Sequence, residues 1–190
     1  MANIMTTNVS IKNLNEETFE KLKSLMETNE TSKYSVDWIK NINMLYEKEF
    51  TNENAPDYEF MTETVGAKWI SIESIDNNFS EEVDLLIESA WHVPSGYLEK
   101  LAEYLTKLDK NIVLVGTYED ESLEPIGAFV YGNNYDDMED MDIEIDHDKW
   151  WDEDEYRDGI YEELYNLKDN LFQGYLEAMK EREEDEKEEN

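Results

Sequence analysis

The segment that most constrains how this chain can fold is Asp136 to Asp158, DDMEDMDIEIDHDKWWDEDEYRD. In it, 13 of 23 residues are Asp or Glu, and only Lys149 and Arg157 oppose them. Met138, Met141, Ile143, Ile145, Trp150, Trp151 and Tyr156 are threaded through it. Acidic disorder is poor in aromatics and lacks apolar patterning. This segment has both, so it is expected to fold and to hold its carboxylates at fixed positions.

The acid–Ile alternation predicts an edge strand over 142–148, with Ile143 and Ile145 facing inward and Asp142, Glu144, Asp146 and Asp148 facing out. Alternate residues of a strand stand about 6.8 Å apart on one face. Two phosphate steps along one DNA strand, at about 3.4 Å each, cover the same distance. Asp152, Glu155 and Asp158, at i, i+3 and i+6, continue the row on a helix, and Asp136, Asp137, Glu139 and Asp140 precede it. Such an array resembles the charge pattern of a nucleic acid to a protein that binds one. The competing interpretation is a solvated edge strand protected by charge. Trp150 and Trp151 are adjacent, so on a regular element both cannot face inward. One of them is a candidate anchor for a partner.

The acidity extends beyond this segment. Lys and Arg total 16 against 49 Asp and Glu, for a net charge of −33. Residues 132–190 hold 24 of the acids and 6 of the bases. Self-repulsion of this size opposes a compact state. No basic patch exists for direct binding of nucleic acid or of an anionic membrane. No apolar run approaches the roughly 18 residues of a membrane span. The opening MANIMTTNVSIKN lacks the basic and apolar regions of a signal peptide. Cysteine is absent, which excludes disulfides and thiolate chemistry and suits a reducing cytoplasm. Lys, Asn, Ile, Glu and Tyr are frequent and only two Arg occur, a composition typical of AT-rich genomes such as those of many phages.

Residues 3–12 alternate as a strand, and Asn15 is placed to cap a helix carrying Phe19, Leu22, Leu25 and Met26. Ser35 is expected to cap a second helix, inserted near 35–48, and residues 51–63 form a loop. A strand follows near 67–75, then a strand or short helix at 82–91. Ser95 is expected to cap a helix with Tyr97, Leu98, Leu101 and Leu105 along one side. Residues 111–119 and 126–131 make a hairpin. Asp152–Phe172 has helical spacing, and the charged residues 177–190 are expected to be frayed or disordered. The predicted organisation is an α+β domain over 1–132, an acidic strand and helix extension over 133–176, and that tail.

The motifs Gly66-Ala67-Lys68-Trp69, Ala90-Trp91-His92-Val93-Pro94 and Gly127-Ala128-Phe129-Val130-Tyr131 resemble the YubB-type family of plasmid and phage proteins. The resemblance covers about residues 65–132, and the opening Ala2-Asn3 with its alternating strand is similar too. It implies a ferredoxin-like antiparallel sheet with helices on one face. It implies no chemistry, and the acidic residues beyond 132 lie outside it.

Catalysis has little support in the sequence. His92 and His147 have no HExxH or triad partner, and the seven Gly form no phosphate loop. An EF-hand starting at Asp142 would need Gly where His147 stands. No enzyme activity, cofactor or metal site is therefore expected. The expected function is that of a phage- or plasmid-encoded nucleic-acid mimic in the host cytoplasm, inhibiting a host DNA- or RNA-binding protein or defence complex, as in anti-restriction or anti-CRISPR action. The alternative is a regulatory or assembly module whose acidic surface serves solubility.

Overall fold

The computed structural model describes residues 3–28, 36–73, 75, 78–142 and 145–188. Six strands form one antiparallel sheet: β1 (Ile4–Lys12), β2 (Ile70–Ile72), β3 (Glu82–Ala90), β4 (Val113–Asp120), β5 (Ile126–Gly132) and β6 (Tyr135–Asp140). Their spatial order is β2-β3-β1-β4-β5-β6. The helices are α1 (Glu16–Leu25), α2 (Trp38–Tyr46), α3 (Ser95–Leu108), α4 (His147–Asp152) and α5 (Asp154–Glu188), with a π-helical turn at Phe60–Val65. From β1 to β4 the chain runs β-α-β-β-α-β, with β3 paired between β1 and β2. That connectivity is the split βαβ pattern. α2 and the π-helical turn are inserted in its first crossover, and β5 and β6 extend the sheet beyond β4.

The pleat sorts β1 cleanly. Met5, Val9 and Ile11 are buried on one face and pack with Phe19, Leu22 and Leu25 of α1, Ile42 and Leu45 of α2, and Tyr97, Leu98, Leu101 and Leu105 of α3. Asn15 caps α1 as its sequence position predicts: its Oδ1 accepts from the Thr18 N–H at 3.0 Å. α2 is capped by Asp37, whose carboxylate accepts from the Lys40 N–H at 3.2 Å; Ser35, the expected cap, lies outside the described residues. Ser95 is not a cap either. It is the first residue of α3, whose cap position is Pro94, with no side-chain hydrogen bond. The preceding turn is held instead by Ser89, whose hydroxyl donates to the His92 carbonyl at 2.7 Å.

The helices do not all lie on one face, as the resemblance implies. α5 covers the opposite face, where Leu171 and Tyr175 pack on Val113, Val115, Ala128 and Val130. β4 and β5 are apolar on both faces for this reason. At Gly132 the Tyr175 ring comes so close that a Cβ would sit 2.3 Å from it. A third, smaller cluster joins Leu123, Ile126, Ile145, Trp150, Ile160 and Leu164, fastening α4 and the start of α5 to the sheet.

The expected tail is helical to Glu188, within the 35 residues of α5. Leu176 and Met179 pack against the sheet cluster. The Arg182 guanidinium donates to the carbonyls of Asn133 and Asn134, at 2.9 Å each, in the turn between β5 and β6. The contacts of Met179 and Arg182 sit past residue 176 and hold the charged end in helical register.

Candidate functional site

The carboxylates of 136–158 are ordered, but not as one row. The strand in this region is β6, not 142–148. The turn at Asn133–Asn134, with Asn134 left-handed at φ 54°, sends the chain straight back along β5. Asp137 and Glu139 of β6 lie opposite Val130 and Ala128 and therefore point to the α5 side; Asp136 and Asp140 lie opposite Tyr131 and Gly127 and point to the α3 side. All four are exposed, on an edge that β6 leaves open to solvent. Asp140 has a local partner, the Tyr118 hydroxyl, which donates to it at 2.6 Å. Burial first, and then this hydrogen bond, raises the Tyr118 phenol above its ordinary pKa.

The predicted row at 142–148 is broken. Asp142 lies in an irregular segment. Glu144 and Ile143 are outside the described residues. Ile145 is buried against Trp150 and Ile160. Asp146 is the N-cap of α4: its Oδ1 accepts from the N–H groups of Asp148 (3.1 Å) and Lys149 (3.2 Å). Its own N–H donates to the Tyr156 hydroxyl at 2.9 Å. Asp148 stands in the first turn of α4, where negative charge meets the positive end of the helix dipole. Asp is among the favoured N-cap residues, and here its capping of α4 overrides the alternation. The Asp152–Glu155–Asp158 row is also interrupted, because Asp152 ends α4 and the extended Glu153 separates it from α5.

Glu155 and Asp158 instead begin a longer row. At 3.6 residues per turn, the side of α5 opposite Ile160, Leu164, Leu171 and Tyr175 carries Glu155, Asp158, Glu162, Asn166, Asp169, Gln173, Glu177, Lys180, Glu184 and Lys187, all exposed. Glu155 to Glu184 spans about 44 Å of helix. The three- and four-residue steps of this row are present in the sequence. They run through the apolar stripe of 152–172 and on into the charged residues beyond 177, where the sequence predicts fraying.

Trp150 and Trp151 divide as their adjacency requires. Trp150 is 4% exposed and its ring centroid lies 5.4 Å from that of Tyr161. Trp151 is 72% exposed, the most exposed of the large apolar side chains among the described residues. It stands between Asp148 and Asp152 on a short helix held by its buried neighbour. Comparisons with protein-family models, with curated proteins and with solved structures found no match to this chain. The YubB resemblance rests on its quoted residues.

Few cations neutralise this surface. Of Asp136, Asp137, Glu139, Asp140, Asp142, Asp146, Asp148, Asp152, Glu155 and Asp158, only Asp146 forms an ion pair among the described residues, at 3.9 Å to Lys149. Both arginines of the chain bind backbone carbonyls: Arg182 at the β5–β6 turn, and Arg157 at Trp150, with 3.2 Å to its oxygen and a second contact to Asp154. Among the described residues, no cluster of three or more His, Asp or Glu is arranged to hold a metal ion, and no helix is long and apolar enough to cross a membrane.

Proposed function

We propose that this chain is a non-enzymatic mimic of nucleic acid that occupies the basic groove of a host DNA- or RNA-handling protein and inhibits it, as a phage or plasmid anti-defence or host-takeover factor does. The observation that carries this reading is the outward row of α5, in which the carboxylates of Glu155, Asp158, Glu162, Asp169 and Glu177 recur over about 33 Å of one rigid element before Lys180 enters the row. Along one DNA strand a phosphate recurs every 3.4 Å or so. The five carboxylates stand about 8 Å apart on average, so the α5 row has about two-fifths of that linear density. Asp137 and Glu139 of β6 point to the face of the sheet that α5 covers and add two further exposed carboxylates there. A surface kept only for solubility has no need to hold its carboxylates on rigid, packed elements. Trp151 adds the exposed aromatic anchor that interfaces favour.

The test is competition. The tagged chain is produced in host cells, and the co-purifying nucleic-acid-binding protein is identified. Excess DNA or RNA should then displace the chain from this target, and the chain should displace the nucleic acid. A target that binds both at once, with affinity for neither reduced, refutes mimicry and leaves a regulatory interaction through another face.

A further inference from the structure

Two clefts meet on the α3 side of the sheet. One, of about 510 Å³, lies between α3 and the β5–β6 hairpin; the other, of about 620 Å³, runs on past His92 to the end of the π-helical turn. Glu99, Tyr131 and Asp136 line both and so form their junction.

The junction holds a phenol whose hydroxyl is open to solvent and has no protein partner among the described residues. This is Tyr131, which is only 7% exposed and opens on both clefts. Asp136 lies directly opposite Tyr131 in the β5–β6 register, so the two side chains share one face, their Cβ atoms about 5 Å apart. Burial first, then Asp136 and then Glu99, pushes the Tyr131 phenol up to about 12. Both carboxylates therefore act on that hydroxyl, one from the sheet and one from the helix. Among the described residues neither forms an ion pair, although Glu99 also acts at longer range on the Lys100 ammonium. By contrast Glu103, one turn further along α3, is neutralised by Lys100 at 2.7 Å. Lys107 lines the far end of the first cleft, about 12 Å from Glu99 along the helix axis.

We propose that this junction is a receptor for a single arginine side chain of the basic partner protein, with Asp136 and Glu99 accepting its N–H groups and Tyr131 supplying a further acceptor oxygen and an aromatic wall. Two carboxylates and a phenol converging from different elements match a planar group with five donors better than a compact ammonium. A guanidinium is also the more weakly hydrated cation and stacks on aromatic rings, so a half-enclosed cleft favours it. The assignment rests on the reading that the partner is basic, but not on that partner's being displaced by nucleic acid.

The test uses the full chain and acetyl-arginine N-methylamide, which carries one guanidinium. Tyrosine ring resonances are followed by NMR during titration, beside the citrulline analogue, which has the same shape without the charge. The Tyr131 ring should shift with saturation in the millimolar range, and the citrulline analogue should leave it unmoved. Asp136→Asn with Glu99→Gln, both exposed positions, should weaken binding about tenfold or more. Glu155→Gln with Asp158→Asn removes the same charge from α5 and should change it less than twofold. Tyr131→Phe should weaken it several-fold. A shift that never saturates, or equal losses in the two charge-matched pairs, overturns the receptor in favour of diffuse attraction to a polyanion. That failure would leave competition with nucleic acid untouched, whereas failed competition with intact guanidinium binding would overturn mimicry alone.

Discussion

Replacing each tryptophan of the adjacent pair by alanine should separate stability from binding. Trp150 is 4% exposed and packs with Leu123, Ile126, Ile145, Ile160 and Leu164. Truncating a buried aromatic of this kind costs about 3–5 kcal/mol through lost transfer energy and the cavity left behind. At roughly 2–4 °C per kcal/mol for a chain of this size, Trp150→Ala should lower the melting temperature by roughly 6–20 °C. The damage should be local first. The cluster joins α4 and the start of α5 to the sheet, so amide exchange should rise there before it rises in β1 and β3. Trp151 is 72% exposed, and Trp151→Ala should move stability by no more than about 0.5 kcal/mol. Its effect should appear in the affinity for the captured partner, where loss of an anchor is worth about 2 kcal/mol or more, roughly thirtyfold. Calorimetry gives the first quantity and a titration with the partner the second. Equal melting losses in the two variants would refute the packing of the pair. An unchanged affinity in a folded Trp151→Ala would refute the anchor.

Four further outcomes follow from the structure. Glu155, Asp158, Glu162 and Asp169 changed together to Lys should leave the fold intact, since all four are exposed, and abolish inhibition. In the unaltered chain, partner affinity should fall at least about tenfold between 50 and 200 mM salt, and an affinity insensitive to salt would favour apolar docking instead. Arg182→Ala removes both hydrogen bonds to the β5–β6 turn, so amide exchange should increase in the last turns of α5 and at Asn133–Asn134, with little change in melting temperature because the side chain is exposed. Tyr131 and Tyr161 are each pushed up to about 12, in both cases by burial first. The folded state therefore holds their protons more tightly than the unfolded chain, whose phenols titrate near 10. Their contribution to stability is complete below about pH 10 and is lost as the pH rises towards about 12; urea midpoints measured across that range should fall, and a rise would contradict the burial.

Much of the fold is legible where local and tertiary signals agree. The alternation of β1, the Asn15 cap, the apolar stripe of α3 and the β4–β5 hairpin all point one way in the sequence, and the structure follows them. The acidic segment is harder to read because two local signals compete within it. Acid–Ile alternation over 142–148 favours a strand, whereas Asp146 ahead of a Trp pair favours a cap and a helix. The cap prevails because it lets Ile145 and Trp150 reach one cluster with Ile160 and Leu164, a gain no window of seven residues contains. β6 is difficult for the opposite reason. Its sequence YDDMED has little strand propensity of its own, and its place comes from the hairpin turn and the free edge of β5.

The end of α5 shows how a chain so acidic can remain ordered. Like charges along 177–188 should fray an isolated helix. Two short-range contacts oppose this. Leu176 and Met179 bury apolar surface on the sheet, and Arg182 satisfies two carbonyls of a turn that would otherwise face water. Neither contact neutralises a carboxylate. Arg182 is bound wholly to backbone oxygens, and Arg157 in part, so the scarce guanidinium groups position the helix and leave its outward row unpaired. A chain selected for solubility alone would gain stability by pairing those acids across the helix surface. From Glu155 to Glu177 the arrangement instead combines rigid placement with charge that no lysine or arginine of the outward side offsets, and binding to a basic groove requires both.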